Sequence, residues 1–321
     1  MNIKKLGIAA FVLSFIIAAC GKKDGNGNGI GGGNSSLGSG NLYYEWADQG
    51  ILKLNLSTTV RSHVSSSPNG WDISSDGTKM LQSTDDAASN YNKEFYTITN
   101  LKDGTIVNQF VRNSGYGNPT YPLFSPDMTL IAVPPTFDGS LLILNMQGDI
   151  LHSVATIGGK KISRGICWMP DNTVIVSVGS TLYRLNKAFD YGNVITTFDF
   201  SDWGDFTASP DGSKIAFEAN KHIWIMNADG SGLTQITDSD DEEAIPRFSP
   251  DGSHLLIGAQ FQETGTGSSA TGSIGNIWSL YIIPADGKMY NVREGADKNV
   301  IPVIAKGGNS PEHGDGGMVW R

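Results

Sequence analysis

The sequence has few cysteines, no excess of positive charge and only one long hydrophobic run. Cys20 and Cys167 are the only cysteines among 321 residues, so a small fold held together by several disulfides is excluded. Acidic residues outnumber basic ones by 32 to 23, which argues against nucleic acid as a partner. The apolar run from Leu6 to Ile17 is shorter than the roughly 20 residues that cross a bilayer as a helix.

This short run has the layout of a signal peptide, because two lysines precede it and two alanines and Cys20 follow it. The segment Ile17-Ala18-Ala19-Cys20 resembles the bacterial lipobox, whose cysteine is acylated and becomes the new N-terminus. The resemblance implies that lipid on Cys20 attaches the protein to a membrane. Gly21 after the cysteine favours the outer membrane, on its periplasmic side or at the cell surface. The alternative is an ordinary signal peptide with an incidental cysteine.

The segment that follows Cys20 is rich in glycine and asparagine. Residues 21–41 have too little apolar surface to fold, so we predict a flexible tether. The predicted domains are therefore a lipoprotein signal peptide at 1–19, the lipidated cysteine and its tether at 20–41, and one folded domain at 42–321.

A repeated unit organises the folded domain. Its clearest copy runs from Phe206 to Thr237 and contains four strand signals, with the tight turn Ser209-Pro210-Asp211-Gly212 after the first. Related turns recur along the chain, and their aligned aspartates are Asp76, Asp127, Asp171, Asp211 and Asp251. The intervals between them, 51, 44, 40 and 40 residues, are close to the roughly 40 to 45 residues of a four-stranded propeller blade.

A sixth blade can be assembled from the two ends of this domain. Residues 317–320 are predicted as its first strand, and residues 42–46, 50–56 and 60–64 as its second, third and fourth. Sharing one blade in this way closes the ring and leaves no exposed sheet edge at the junction. The predicted fold class is all-β, a six-bladed β-propeller of four-stranded blades whose last blade is shared between the N- and C-termini.

The strings SPDGSKIAF and IWIMNADGSGLTQIT, at residues 209–217 and 223–237, resemble the repeats of the TolB-type propeller family, which is related to WD-repeat propellers. The resemblance covers about residues 42–321 and implies the fold of that family. TolB has an additional N-terminal α/β domain, in whose place this chain has the Gly-rich tether.

Candidate binding residues follow from the architecture. Loops that join a fourth strand to the next first strand collect on one face of a propeller, and here they mix aromatic with charged residues, as suits a protein partner or a glycan. The acidic run at 238–243 lacks the ligand spacing of an EF-hand and is predicted to be a solvated loop. The candidate ligand-binding residues are Tyr116, Arg164, Trp203, Asp205, Asp240, Glu242, Arg247 and His313.

These observations favour a monomeric envelope lipoprotein whose propeller is a non-catalytic binding platform for an envelope protein or a glycan. No catalytic residue, metal site or cofactor is predicted, since no G-x-S-x-G elbow is present and His313 has no identifiable second ligand. Cys167, between Ile166 and Trp168, is predicted to be a buried packing residue. The alternative function is a propeller enzyme, a lyase or hydrolase that acts on a polymer at an axial active site.

Overall fold

The computed structural model describes residues 38–113, 119–136, 139–163, 165–263 and 276–321. Six antiparallel sheets within these ranges form the blades of a propeller, each with four strands in order and one with an additional short strand, which confirms the predicted fold class. The helices of the described ranges are two single 3-10 turns, η1 (Ala47–Gln49) and η2 (Ala87–Ser89), and none of them could cross a membrane. The predicted signal peptide, Cys20 and nearly all of the tether lie outside the described residues.

The strands are numbered in chain order, and the blade that both ends share comes first. The shared blade consists of β1 (Asn41–Trp46), β2 (Gly50–Asn55), β3 (Arg61–Ser65) and β27 (Met318–Trp320). Blade 1 consists of β4 (Gly70–Ile73), β5 (Lys79–Asp85), β6 (Lys93–Asn100) and β7 (Ile106–Asn113). Blade 2 consists of β8 (Leu123–Phe124), β9 (Leu130–Val133), β10 (Leu141–Asn145) and β11 (Ile150–Val154).

A small hairpin separates blade 2 from blade 3. Its strands are β12 (Thr156–Ile157) and β13 (Lys160–Lys161). Blade 3 consists of β14 (Ile166–Trp168), β15 (Val174–Val178), β16 (Thr181–Leu185) and β17 (Gly192–Thr197). Blade 4 consists of β18 (Trp203–Ala208), β19 (Lys214–Ala219), β20 (His222–Asn227) and β21 (Thr234–Gln235). Blade 5 consists of β22 (Ala244–Phe248), β23 (His254–Glu263), β24 (Asn276–Pro284) and β25 (Ile301–Pro302), with β26 (His313–Gly314) also paired to β24.

The shared blade closes the ring as predicted. Its strands lie in the order β27, β1, β2, β3, with Trp320 opposite Leu42 and Met318 opposite Tyr44 in an antiparallel register. The Trp320 side chain is 1% exposed, and its indole N–H donates to the carbonyl oxygen of Ser39 at 2.9 Å. Residues from the two ends of the described range therefore form one continuous sheet.

The Ser-Pro-Asp-Gly turn joins the first and second strands of a blade through side-chain hydrogen bonds. The Ser209 hydroxyl donates to the Asp211 carboxylate at 2.6 Å and accepts the backbone N–H of Lys214 at 2.9 Å. Gly212 has a φ of +71°, a conformation that favours glycine. The same Ser-to-Asp hydrogen bond forms in three other blades, at Ser74–Asp76, Ser125–Asp127 and Ser249–Asp251.

The hydrophobic core lies between neighbouring blades. Ile223 of blade 4 belongs to the same buried cluster as Leu255 and Ile257 of blade 5, and Leu42 of the shared blade packs in a cluster with Leu280 of blade 5. Each such buried aliphatic side chain contributes about 1.5 to 3 kcal/mol relative to exposure. Packing between blades thus fixes the positions of the first strands around the axis.

Candidate binding site in the axial channel

The first strands of the six blades surround a cavity of about 400 Å³ on the propeller axis. Ligand pockets have volumes of roughly 300 to 1,000 Å³, so the cavity is large enough to hold part of a ligand. The mouth of the cavity lies on the face of the propeller that carries the turns between first and second strands. Pro170, Pro210 and Pro250 of these turns are exposed. The turn residues that line the mouth include Ser75, Pro126, Pro170, Pro210 and Pro250.

Aromatic side chains make up much of the cavity wall. The indole N–H of Trp168 donates to the carbonyl oxygen of Leu123 in the neighbouring blade at 3.3 Å, and that of Trp71 donates to the Glu45 carboxylate at 3.3 Å. Both rings are therefore held in place by an adjacent blade. The aromatic residues of the wall are Trp71, Phe124, Trp168, Phe206, Phe248 and Trp320.

Asp72 is a buried carboxylate in this wall that joins two blades. It lies in β4, and its oxygens accept the backbone N–H of Phe124 in β8 at 2.9 Å and that of Ile73 at 2.8 Å. A guanidinium nitrogen of Arg321 lies 3.5 Å away. Burial raises the pKa of Asp72, while the charge of Arg321 and the two amide hydrogen bonds oppose that shift. The hydrogen bonds to backbone amides make Asp72 a structural link between the first strands of blades 1 and 2.

Arg247 brings a positive charge to the cavity from β22. Its Nε donates to the carbonyl oxygen of Met318 at 2.9 Å and one Nη1 hydrogen to that of Pro246 at 2.8 Å. Burial lowers its pKa, and the charges of Asp205 and Asp72 act in the opposite direction. An arginine remains protonated at neutral pH. Arg247 is therefore a charged group whose guanidinium is fixed by two carbonyl oxygens.

Arg321 is the second positive charge in the wall. Its Nε donates to the carbonyl oxygens of Ile73 and Ser74 at 2.9 and 3.1 Å, and it stands at the position that a turn serine occupies in other repeats. Sequence reasoning did not propose Arg321 or Asp72 as site residues. The repeat does contain a signal that could have identified Asp72 as a cavity residue. In every blade, the residue two positions before the first residue of the turn lines the cavity. In chain order these residues are Asp72, Leu123, Cys167, Thr207, Arg247 and Val319.

Cys167 lies in the same wall and is 9% exposed, which confirms the prediction that it is buried. Burial raises the pKa of its thiol to about 12. The thiol is therefore protonated at neutral pH, and a protonated thiol is a poor nucleophile.

The other described candidates do not line this cavity. Trp203 and Asp205 are in β18, where Trp203 packs edge-on against Phe198 with ring centroids 4.7 Å apart and Asp205 sits at a bulge with a φ of +47°. The His313 ring lies 5.5 Å from that of Trp46, and its Nδ1 is 3.4 Å from the Ser279 hydroxyl. Tyr116 and Arg164 lie outside the described residues. Of the described candidates, only Arg247 lines the cavity.

The acidic run at 238–243 is only partly the solvated loop that its charge predicts. Asp240 is exposed and forms an ion pair with Arg293. Glu243, in contrast, is fully buried, and its carboxylate lies 2.8 Å both from the His222 ring and from the Thr237 hydroxyl. Glu243 thus anchors the connection between blades 4 and 5.

Glu242 belongs to a second acidic group, around Glu218 in β19. Burial raises the pKa of Glu218 to about 8, and repulsion from Asp205, Glu242 and Asp202 adds to the shift.

Across the ranges that the structure describes, no three side chains of His, Cys, Asp or Glu are arranged to hold a metal ion.

Comparison with known proteins identifies the fold. No protein-family model matches the chain, and no curated protein matches it in sequence. Among solved structures, a putative TolB from Agrobacterium tumefaciens superposes with a TM-score of 0.53 at 17% identity, over 78% of this chain and 87% of that one. TolB from Acinetobacter baumannii gives a TM-score of 0.55 at 17% identity, over 88% of this chain and 66% of that one.

A third solved structure has a similar TM-score. The Cps50 (Swd1) β-propeller domain of Myceliophteria thermophila gives a TM-score of 0.53 at 13% identity, over 81% of this chain and 84% of that one. These similarities establish that the chain has a TolB-like propeller fold. They are too distant in sequence to transfer a site or a partner.

Proposed function

We propose that this protein is a cell-envelope lipoprotein whose propeller is a non-catalytic binding platform for an envelope protein or a glycan. The axial cavity carries the proposal, because a rigid wall of closely packed aromatic side chains, a rim with exposed prolines and an arginine with unused hydrogen-bond donors come together there. The charged groups of the wall also hold neighbouring strands together, as in the hydrogen bond from Phe124 to Asp72. Such a wall is suited to receive a partner without rearrangement.

The attachment to the membrane is proposed from the N-terminal sequence. Acylation of Cys20 would add two or more chains, enough for stable anchoring. The tether, treated as a Gly-rich coil of about 20 residues, would let the propeller move within roughly 25 Å of its anchor. We propose the outer membrane as the site, with the propeller as a monomer on the periplasmic side or at the cell surface.

Photo-cross-linking in intact cells tests the platform. A photoreactive residue at Pro210 is placed at the cavity mouth, and one at Val194, which is 59% exposed on an outer strand, is the matched control. We expect a discrete cross-linked envelope protein or glycan from position 210 and none from position 194. The same products from both positions, or none from 210, would contradict a platform at the axial mouth.

An enzyme that acts on a polymer is a second candidate, and one observation favours it. With a pKa of about 8, Glu218 is mostly protonated at neutral pH and has a property of a general acid, although it does not line the axial cavity. The test is turnover of a panel of envelope polysaccharides by the wild type and by Glu218→Gln. Turnover by the wild type that falls at least about 100-fold in the variant, with an unchanged melting temperature, would establish the enzyme; no turnover by the wild type would exclude it for those polymers.

A further inference from the structure

We propose that the axial cavity receives a segment of a protein partner that is mostly apolar and carries one carboxylate, and that Arg247 binds this carboxylate. The inference rests on the proposed binding function and names the chemistry of the ligand at the same site.

The charge of the cavity favours an anion. The charged side chains that line it are two cations, Arg247 and Arg321, and one carboxylate, Asp72. Asp72 is already engaged by two backbone amides and by Arg321. Asp205 and Asp72 act on Arg247 through their charges, but Arg247 forms no ion pair with any residue that the structure describes. A ligand carboxylate can therefore still pair with it directly.

The guanidinium of Arg247 still has donors to offer. Nε is used by Met318 and one Nη1 hydrogen by Pro246, but no hydrogen bond to a described residue uses Nη2. Guanidinium groups bind carboxylates through two parallel N–H donors, and such charge-assisted pairs are among the strongest hydrogen bonds in proteins. Since the two carbonyl oxygens hold the side chain in position, less conformational entropy is lost when the carboxylate binds.

The rest of the wall favours a peptide over a glycan. Recognition of a sugar needs several free polar side chains, yet the serine hydroxyls at the mouth are already committed. Ser125, Ser209 and Ser249 each donate to the aspartate of their own turn at 2.6 to 2.8 Å. The wall offers a ligand mainly apolar surface, with the Thr207 hydroxyl and the free donors of Arg247 as its polar groups.

The rim of the mouth is both apolar and closely packed. A Cβ added at Gly252 would lie 3.4 Å from Pro210 of the preceding blade, and one added at Gly212 would lie 3.5 Å from Pro170. Pro210 and Pro170 therefore pack close to the turn of the next blade. A rim of fixed prolines offers apolar contacts to the side chains of an extended segment at little entropic cost.

The test is selection of binders from a displayed library of random peptides by the full-length protein in detergent. The proteins compared are the wild type, Arg247→Gln, Arg247→Lys and Arg184→Gln. Arg184→Gln is the matched control, because Arg184 is also a half-buried arginine but forms an ion pair with Asp171 on the rim of blade 3. Only variants that melt as cooperatively as the wild type are used. We expect the wild type, Arg184→Gln and Arg247→Lys to enrich apolar peptides with Asp or Glu, and Arg247→Gln to enrich apolar peptides without them.

Affinity measurements on one enriched peptide complete the test. Replacing its Glu by Gln is expected to weaken binding to the wild type by about tenfold or more, and to leave binding to Arg247→Gln unchanged. The role of Arg247 would be overturned if the enriched peptides showed no preference for acidic residues, or if the Glu-to-Gln change weakened binding equally to the wild type and to Arg247→Gln. Neither result would contradict the proposed binding platform. If the wild type enriches no peptide at all, the peptide inference is overturned, and only cross-linking at Pro210 then decides whether a platform exists.

Discussion

The Nε of Arg247 donates to the backbone carbonyl oxygen of Met318 at 2.9 Å, from the first strand of blade 5 to the first strand of the shared blade. The residue proposed to bind a ligand therefore also spans the junction beside the closing strand. A ligand on Arg247 would restrain the same guanidinium that joins these two blades, so occupancy of the cavity and closure of the ring are expected to stabilise each other.

Deletion of residues 317–321 is expected to destabilise the whole propeller. It removes strand β27, whose Met318 and Trp320 are each 1% exposed, and so takes away one of the two first strands that contact the first strand of blade 5. We predict that the melting temperature falls by more than about 10 °C. A melting temperature within a degree or two of the wild type would show that the shared blade does not close the ring.

Membrane attachment is expected to depend on one of the two cysteines. Cys20→Ala should move the protein from the membrane fraction to the soluble fraction, since it removes the acylated residue. Cys167→Ala is the matched control and should leave fractionation unchanged, because that thiol is buried in the cavity wall. Retention of the Cys20→Ala variant in the membrane fraction would contradict lipidation at Cys20.

Charge at the cavity mouth is expected to control binding. Pro210→Asp and Pro210→Lys make the same backbone change but add opposite charges to an exposed position of the rim. Binding of an acidic peptide selected by the wild type should weaken several-fold in the Asp variant and not in the Lys variant, with the difference shrinking as salt is raised. If the Asp and Lys variants bind the peptide with equal affinity at low salt, the peptide does not bind near Pro210.

Stability is expected to fall as the pH rises toward 8, because of Glu218. Its pKa is about 8 in the folded protein, well above the ordinary range of a glutamate, so ionisation favours the unfolded chain. The contribution of the protonated group is present at low pH and is lost as the pH rises through the folded pKa. Glu218→Gln should therefore lose less stability than the wild type between about pH 5 and pH 9. The control is Asp103→Asn, at an exposed position, which should lose as much stability over this range as the wild type. If the stability of Glu218→Gln falls with pH as steeply as that of the wild type, the pKa of Glu218 is not raised.

The fold could be predicted because its signal is local. The Ser-Pro-Asp-Gly turn is built from residues within five positions of each other, as the hydrogen bond from Lys214 to Ser209 shows. Its spacing along the chain then gives five of the six blades. The shared blade followed from the same repeat, since residues 317–320 match a first strand that lacks its turn.

The site could be predicted only in part, because its contacts cross between blades. Phe124 and Asp72 are 52 positions apart and Arg247 and Met318 are 71 apart, and no local pattern links them. Glu243 illustrates the same limit, since its place in an acidic run predicts exposure while its partner His222 lies 21 residues away. Burial of such charges depends on how the blades pack and not on neighbouring residues in sequence.

Hydrogen–deuterium exchange of the full chain, with and without the partner captured at Pro210, tests the binding platform most directly. We predict that the partner protects the turns at residues 209–212 and 249–252 and the first strand β22, because these surround the mouth and Arg247. Protection confined to residues 238–243 or to the outer strands, with no change at the turns, would contradict binding in the axial cavity.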